Sequence, residues 1–179
     1  MVPDMDTKPT GATLTKAQAI ELNKVLAGQR PQVRYLKNFD TDRIYRKGKI
    51  DDITIDKPRI TEDARPEVVK NSRTGKMDKK RIDVITYMEN NKLYVLVGSG
   101  GVSLFDGVSP NLILGPKDRW YCCFVSKTTP IPEGLLLVKN IKSDPATGHF
   151  HYAFEPAYDM PLAEFRKKLK ELDKYMKVV

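Results

Sequence analysis

Short β-type runs, each interrupted by turn residues, constrain this chain more than any other feature of its sequence. They are rich in β-branched and aromatic residues and are too short for helices. The runs lie at 43–46, 53–55, 82–88, 93–97, 102–105, 121–125, 135–139 and 150–155. Asn90-Asn91 suits a two-residue hairpin turn because asparagine tolerates positive φ. The pattern therefore predicts mostly antiparallel sheets.

Helices are predicted at both ends of this series of strands. Thr15-Lys16-Ala17-Gln18 matches a capping box, with Leu14 placed for a hydrophobic staple. The apolar residues that follow are Ile20, Leu22, Val25 and Leu26, before Gly28. Near the C-terminus Pro161 suits a first helical turn, and one apolar face comprises Leu162, Phe165, Leu169, Leu172 and Met176. The fold class is therefore predicted to be α+β.

Length and composition favour one globular domain. The chain has 179 residues, of which 40% are hydrophobic and 30% charged, enough to bury a core without disulfides. We expect a flexible lead over 1–12 and one domain over 13–179. No apolar stretch approaches the roughly 20 residues that span a membrane, and 1–16 lacks the order of a signal peptide.

Cys122 and Cys123 are adjacent and in a strand would point to opposite faces, so they are poorly placed to pair.

A net charge of +8 is compatible with an anionic partner such as nucleic acid, a phosphate-bearing cofactor or an acidic protein surface. The basic residues between 65 and 81 are Arg65, Lys70, Arg73, Lys76, Lys79, Lys80 and Arg81. They have no apolar period beneath them and no interleaved aromatic residue to stack on bases. This basic segment is therefore interpreted as a solvated loop in preference to a nucleic-acid site.

The segment 98–107, Gly-Ser-Gly-Gly-Val-Ser-Leu-Phe-Asp-Gly, is the most unusual stretch. Glycines let the backbone approach a ligand, and the Ser99 or Ser103 hydroxyl could bind a phosphate, ribose or carboxamide. The alternative is a tight hairpin with a bulge. The segment matches neither a Walker loop nor a dinucleotide fingerprint, so both interpretations stay open.

Several blocks in fixed order resemble a toxin family. They are Leu93-Tyr94, Gly-Gly-Val-Ser-Leu-Phe-Asp at 100–106, Trp120, Pro-Ile-Pro-Glu-Gly-Leu at 130–135, and His-Tyr-Ala-Phe-Glu-Pro-Ala-Tyr-Asp-Met-Pro-Leu at 151–162. Upstream, Ile44-Tyr45-Arg46 resembles an aromatic-Arg first strand. Together they resemble the ADP-ribosyltransferase-like toxins of the exported effector two family of bacterial type VI secretion. The resemblance implies an ADP-ribosyltransferase-like fold, with two small, mostly antiparallel sheets forming a cleft for NAD.

The resemblance also implies roles for individual residues. Arg46, with Tyr45 beside it, would bind the phosphate or nicotinamide-ribose side of NAD, although an edge-strand surface charge is the alternative. Ser103 would frame the nicotinamide, with Gly100 and Gly101 leaving room. Phe105 or Tyr152 would stack on the ring, and His151 would line the site. Glu155 would stabilise the oxocarbenium character as nicotinamide leaves; a strand-end ion pair is the alternative for it.

The predicted activity is NAD-dependent mono-ADP-ribosylation of an intracellular target, with no metal ion. A cognate immunity protein, export through a specialised secretion system, a monomeric state and action in the cytoplasm of the target cell are further expectations. One alternative is a metal-independent ribonuclease that uses His149, His151 and Glu155 as acid and base. The others are an NAD glycohydrolase and a non-catalytic binding module. The spacing of His149 and His151 alone gives no third ligand for a metal.

Overall fold

A computed structural model describes residues 14–49, 55–60, 68–70, 77–79, 82–107 and 120–178. The helices are α1 (Lys16–Ala27) and α2 (Leu162–Lys170), followed by a 3-10 turn at Asp173–Tyr175. The strands are β1 (Val33–Leu36), β2 (Arg43–Lys49), β3 (Val68–Lys70), β4 (Met77–Lys79), β5 (Thr86–Glu89), β6 (Lys92–Val95), β7 (Val102–Phe105), β8 (Trp120–Ser126), β9 (Leu135–Asn140), β10 (His151–Pro156), β11 (Met160–Pro161) and β12 (Met176–Val178). The α+β class is confirmed. The predicted lead over 1–12 lies outside the described residues.

The strands form one large sheet and two smaller ones. The large sheet has seven strands in the order β1-β9-β10-β7-β2-β8-β12, a second sheet has the order β11-β6-β5, and β3 pairs with β4. Each pairing among the described strands is antiparallel. Two antiparallel sheets with flanking helices agree with the prediction, but the large sheet is wider than expected. The β3–β4 pair also corrects the loop predicted for 65–81, because Val68 and Val69 favour a strand.

Local turn and cap signals are confirmed. Asn90 and Asn91 have φ values of 50° and 61° and join β5 to β6 with a two-residue turn. At the start of α1 the Thr15 side chain accepts from the Gln18 amide, and the Gln18 side chain accepts from the Thr15 amide. No helix in the described part of the chain has the length and apolar character needed to cross a membrane.

The apolar residues predicted for α1 divide between packed and exposed positions. Leu22 and Leu26 pack against the small core that contains Ala19, whereas Ile20 and Val25 are 38% and 64% exposed. At the other end α2 stops at Lys170, and Met176 belongs to β12 instead of the helical face. The open edge of β8 offers β12 backbone hydrogen bonds that a longer helix would leave unmade.

The large sheet has two distinct faces because side chains alternate along each strand. The core face packs against the second sheet and α2. Its residues include Ile44, Val102, Leu104, Leu137, Tyr152 and Phe154. The opposite face, named the Ser103 face, carries Tyr45, Ser103, Phe105, His151 and Glu155. A second small core, with Ala19, Ile85, Tyr87 and Leu96, lies between α1 and the second sheet.

Asp40 accepts hydrogen bonds from three side chains at one end of the core face. Its carboxylate accepts from Lys139 Nζ at 2.7 Å, from the Tyr152 hydroxyl at 2.6 Å and from Arg34 at 3.0 Å. Burial alone raises the pKa of Asp40, but the hydrogen bonds from Lys139 and Tyr152 and the nearby positive charges outweigh it, and the net pKa lies below its usual value. The stabilisation is therefore present at neutral pH and is lost as the pH falls through the lowered pKa.

Replacing Asp40 with Asn should lower the free energy of unfolding by about 2 kcal/mol, because the buried Lys139 ammonium loses its counter-ion. Urea denaturation at neutral pH measures the effect. Asp42→Asn is the matched control, since its pair with Lys127 at 3.9 Å is exposed and should contribute little. Equal losses in the two variants would contradict a special role for Asp40.

Candidate functional site

The Ser103 face gathers most of the predicted site residues on neighbouring strands. In the β7–β10 pairing Ser103 lies opposite Ala153, and Phe105 lies opposite His151. Alternation along β10 then places Glu155 on the same face as His151. Tyr45 joins them because it pairs with Phe105 across β2 and β7. Ser103, Phe105, His151, Glu155 and Tyr45 therefore share one side of the sheet.

A hydrogen-bond chain crosses three strands on this face. His151 Nε2 lies 2.8 Å from Ser103 Oγ, and His151 Nδ1 lies 3.3 Å from Asn140 Oδ1. The Phe105 ring meets the imidazole edge to face, with centroids 5.3 Å apart. Burial lowers the pKa of His151, and the charge of Asp83 partly opposes that shift. A neutral imidazole is therefore favoured at neutral pH.

Glu155 is held against the backbone of β7. Its residue is only 9% exposed, and a Cβ added to Gly101 would lie 2.8 Å from Glu155 Cγ and would collide with the Phe154 carbonyl oxygen. Only glycine permits this close approach. Burial raises the pKa of Glu155, and the positive charge of Arg30 opposes the rise. The carboxylate is thus desolvated but faces a cation.

Arg30 was not identified from the sequence. Its guanidinium donates to Asn23 Oδ1 at 2.9 Å and to the Gly98 carbonyl at 3.2 Å, which joins the end of α1 to the glycine-rich segment. Burial lowers the pKa of Arg30, and the charge of Glu155 opposes that change. No local pattern marks this arginine, because its contact with Gly98 and its charge interaction with Glu155 arise from the tertiary fold.

Arg46 occupies a different position from Tyr45. Alternation along β2 puts Arg46 on the side of Ile44, which is a core residue, and away from the Ser103 face. Its guanidinium nevertheless donates to the backbone carbonyl of Ser103 at 3.1 Å, and its charge also acts on Asp173. Arg46 therefore contacts the strand that carries Ser103, and phosphate binding by Arg46 stays a prediction.

The structure corrects the interpretation of two residues. Tyr152 is one of the two residues predicted to stack on nicotinamide, with Phe105 as the alternative, but it is fully buried on the core face, and its hydroxyl donates to Asp40. A ring enclosed by core residues has no free surface for a ligand. Ser99 was a candidate phosphate ligand, but it is also buried. Its hydroxyl donates to the Leu96 carbonyl and accepts from the Ile85 amide, so those bonds already occupy it.

The two glycines of the predicted cofactor segment bring the backbone close to other parts of the protein. Gly100 has a φ of 128°, and an added Cβ would meet the Asp83 carbonyl oxygen. Gly101 approaches β10, as described above. At both positions a side chain would collide with neighbouring backbone atoms, so the fold itself requires glycine. Ligand contacts through the amides of these glycines stay a prediction.

The two histidines are engaged by different partners. His149 lies beside Gly107, with its Nδ1 3.7 Å from Asp106, whereas His151 belongs to the chain with Ser103 and Asn140. Because their partners are separate, the described contacts do not support a general acid and general base formed by His149 and His151 together. Within the described residues, no group of three or more His, Cys, Asp or Glu residues is arranged to hold a metal ion.

Chemically, the Ser103 face offers a carboxylate of raised pKa beside a hydroxyl that is hydrogen-bonded to a neutral imidazole. Such a carboxylate can stabilise a developing positive charge in a site that excludes water. The hydroxyl and Phe105 can orient a planar polar ring next to it. The cysteine side chains of β8 lie outside the described residues.

Comparison with known families adds one match. The family described as Tse2 ADP-ribosyltransferase toxin matches residues 28–178, a range that contains every described strand and α2. No curated protein is significantly similar to the chain.

Proposed function

This chain belongs to the Tse2 ADP-ribosyltransferase toxin family, and from that premise we propose that it binds NAD on the Ser103 face and transfers ADP-ribose to a macromolecule inside the poisoned cell. The observation that carries the proposal is the shared face of Ser103 and Glu155 on adjacent strands. ADP-ribosyltransferases use NAD as their substrate, and no metal is needed for the step proposed.

Glu155 supplies the electrostatic part of the reaction. As the bond between nicotinamide and ribose breaks, positive charge develops on the ribose ring, and a carboxylate hydrogen-bonded to a ribose hydroxyl stabilises it. Nicotinamide leaves with the bonding electron pair, and an acceptor nucleophile attacks the ribose carbon and loses its proton. Burial strengthens the carboxylate's interaction with that charge, because little water screens it.

Ser103 and Phe105 supply the orientation. Both are half-buried on β7 and lie beside His151, so they would hold the nicotinamide ring on the same face of the sheet as Glu155. Tyr45 forms the neighbouring wall on β2. Holding the reactive bond in one geometry lowers the entropic part of the barrier.

The biological setting follows from the same proposal. We infer that a type VI secretion system delivers the toxin, that it acts in the cytoplasm of a target bacterium, and that a cognate immunity protein protects the producer. Loops around the sheet would select the acceptor, since recognition surfaces usually lie on such segments.

The test is to incubate the purified protein with NAD carrying a labelled adenylate group and a bacterial lysate. We expect free nicotinamide together with label covalently attached to protein or nucleic acid. Nicotinamide released without attached label would instead identify an NAD glycohydrolase. Unchanged NAD in all fractions, together with no NAD binding by calorimetry, would overturn the proposal.

The ribonuclease alternative is tested in the same lysate. His149→Asn should leave NAD consumption close to that of the wild type, because His149 contacts Asp106 and not the Ser103 chain. RNA should stay intact with NAD removed. RNA cleavage that needs no NAD and is lost in His149→Asn would favour the ribonuclease.

A further inference from the structure

We propose that Asn140 and His151 fix the Ser103 hydroxyl as a hydrogen-bond acceptor toward the ligand, so that the amide NH2 of nicotinamide is what Ser103 recognises. This inference rests on the proposed function and assigns a positioning role to Asn140. It predicts a specific preference among dinucleotides that differ only in the group on the pyridine ring.

The side-chain amide of Asn140 sets the tautomer of the His151 imidazole. Asn140 directs its side-chain oxygen, which can only accept, at His151 Nδ1 over 3.3 Å. With the amide in this orientation, Nδ1 carries the hydrogen. A neutral imidazole protonated at Nδ1 has a lone pair at Nε2, so Nε2 can only accept.

With Nε2 as an acceptor, the Ser103 hydroxyl is the donor of the bond between them. Ser103 Oγ lies 2.8 Å from Nε2 and has one hydrogen, which this bond uses. The remaining lone pairs of Ser103 can then only accept. Because Ser103 is half-buried and not enclosed, a ligand on this face can reach them.

The charges around His151 favour the neutral ring. Its neighbours are Asn140 on β9 and Ser103 and Phe105 on β7, all uncharged, and the charge that acts on it is Asp83 from the segment before β5. Asp83 is itself paired with Arg59 at 3.1 Å. Asn140 thus provides orientation without the charge that would promote protonation of the ring.

Dinucleotides that differ at the carboxamide group offer Ser103 different hydrogen-bonding partners. Nicotinamide has an NH2 donor and a carbonyl acceptor, whereas the acetylpyridine analogue of NAD has a methyl group in place of the NH2. An acceptor-only Ser103 gains a hydrogen bond from the amide and faces a methyl group in the analogue. A site built for a hydrogen bond discriminates against a ligand that lacks it.

The experiment measures the dissociation constants of NAD and of acetylpyridine adenine dinucleotide by calorimetry. We expect the wild type to prefer NAD about tenfold or more, Ser103→Ala to bind both alike, and Asn140→Leu to lose most of the preference. Asn140→Asp keeps an acceptor at Nδ1 and should retain the preference at pH values at which the His151 ring is neutral. Discrimination that persists in Ser103→Ala would overturn the inference.

An independent readout needs no ligand. The chain has two histidines, so His149→Gln leaves only His151 in a long-range proton–nitrogen NMR spectrum. At neutral pH the hydrogen should reside on Nδ1, and Asn140→Asp should raise the pH at which the ring becomes charged. A hydrogen on Nε2 overturns the inference even if NAD is consumed, whereas a wild type that neither binds nor consumes NAD overturns the proposed function as well.

Discussion

Replacing Glu155 with Gln is expected to lower the rate of ADP-ribose transfer about 10²- to 10³-fold, the loss typical of removing one group that stabilises charge in the transition state. Glutamine keeps the shape of the side chain in its close fit against Gly101, so the fold should be retained. Release of nicotinamide from NAD, followed by chromatography, measures the rate. Glu133→Gln, at an exposed glutamate, is the control and should keep full activity.

The same substitution should raise stability at neutral pH. Burial raises the pKa of Glu155 above its ordinary 4.5, so the folded chain binds this proton more tightly than the unfolded chain does. The wild type therefore loses stability as the pH rises from 4.5 through the raised pKa, and Glu155→Gln does not. The melting temperature of the variant should exceed that of the wild type at pH values above this range. A variant that is less stable at neutral pH would show that the carboxylate supports the fold.

Substitutions of Arg30 test the charge of Glu155 without changing the Glu155 side chain. Activity should rise with pH as Glu155 ionises. Burial raises the pKa of Glu155, and the positive charge of Arg30 opposes that rise. Arg30→Gln should therefore move the acid limb of the pH–rate profile to higher pH, while Arg30→Lys keeps the charge and should leave the limb near its original position. An unmoved limb in Arg30→Gln would show that Glu155 does not set it.

Local signals in the sequence were sufficient for the elements that depend on local chemistry. The Asn90-Asn91 turn and the Thr15–Gln18 capping box follow from side chains within four residues of each other, and the structure contains both. The edge strands β1 and β12 were missed. They are short and exist because β9 and β8 offer hydrogen bonds, which no local periodicity records.

In the candidate site, too, some residues could be predicted from local motifs and others depend on tertiary structure. Family motifs pointed to Ser103 and Glu155, but the face that each residue occupies depends on strand register, where a shift of one residue reverses the direction of a side chain. Tyr152 and His151 are consecutive, yet one is in the core and the other contacts Ser103. Arg30 and Asn140 reach the site only through tertiary contacts, so their sequence neighbours gave no indication of a role.

Replacing Gly101 with Ala should have the largest effect on the fold. The new methyl group would occupy the space of the Phe154 carbonyl oxygen and lie 2.8 Å from Glu155 Cγ. Backbone atoms on β7 and β10 cannot move apart without breaking their antiparallel pairing. We therefore expect a loss of about 3 kcal/mol or more in the free energy of unfolding, measured by urea denaturation.

Gly28→Ala is the matched control for this prediction. Gly28 has φ −65° and ψ −17°, and the nearest atom to an added Cβ is 3.8 Å away, so alanine should be neutral or stabilise the protein by roughly 0.4–1 kcal/mol. If Gly101→Ala proves as stable as Gly28→Ala, β10 does not approach β7 as closely as described. If Gly101→Ala folds with reduced stability, transfer activity should fall further than stability does, because the methyl group would displace the Glu155 side chain on which the proposed mechanism depends.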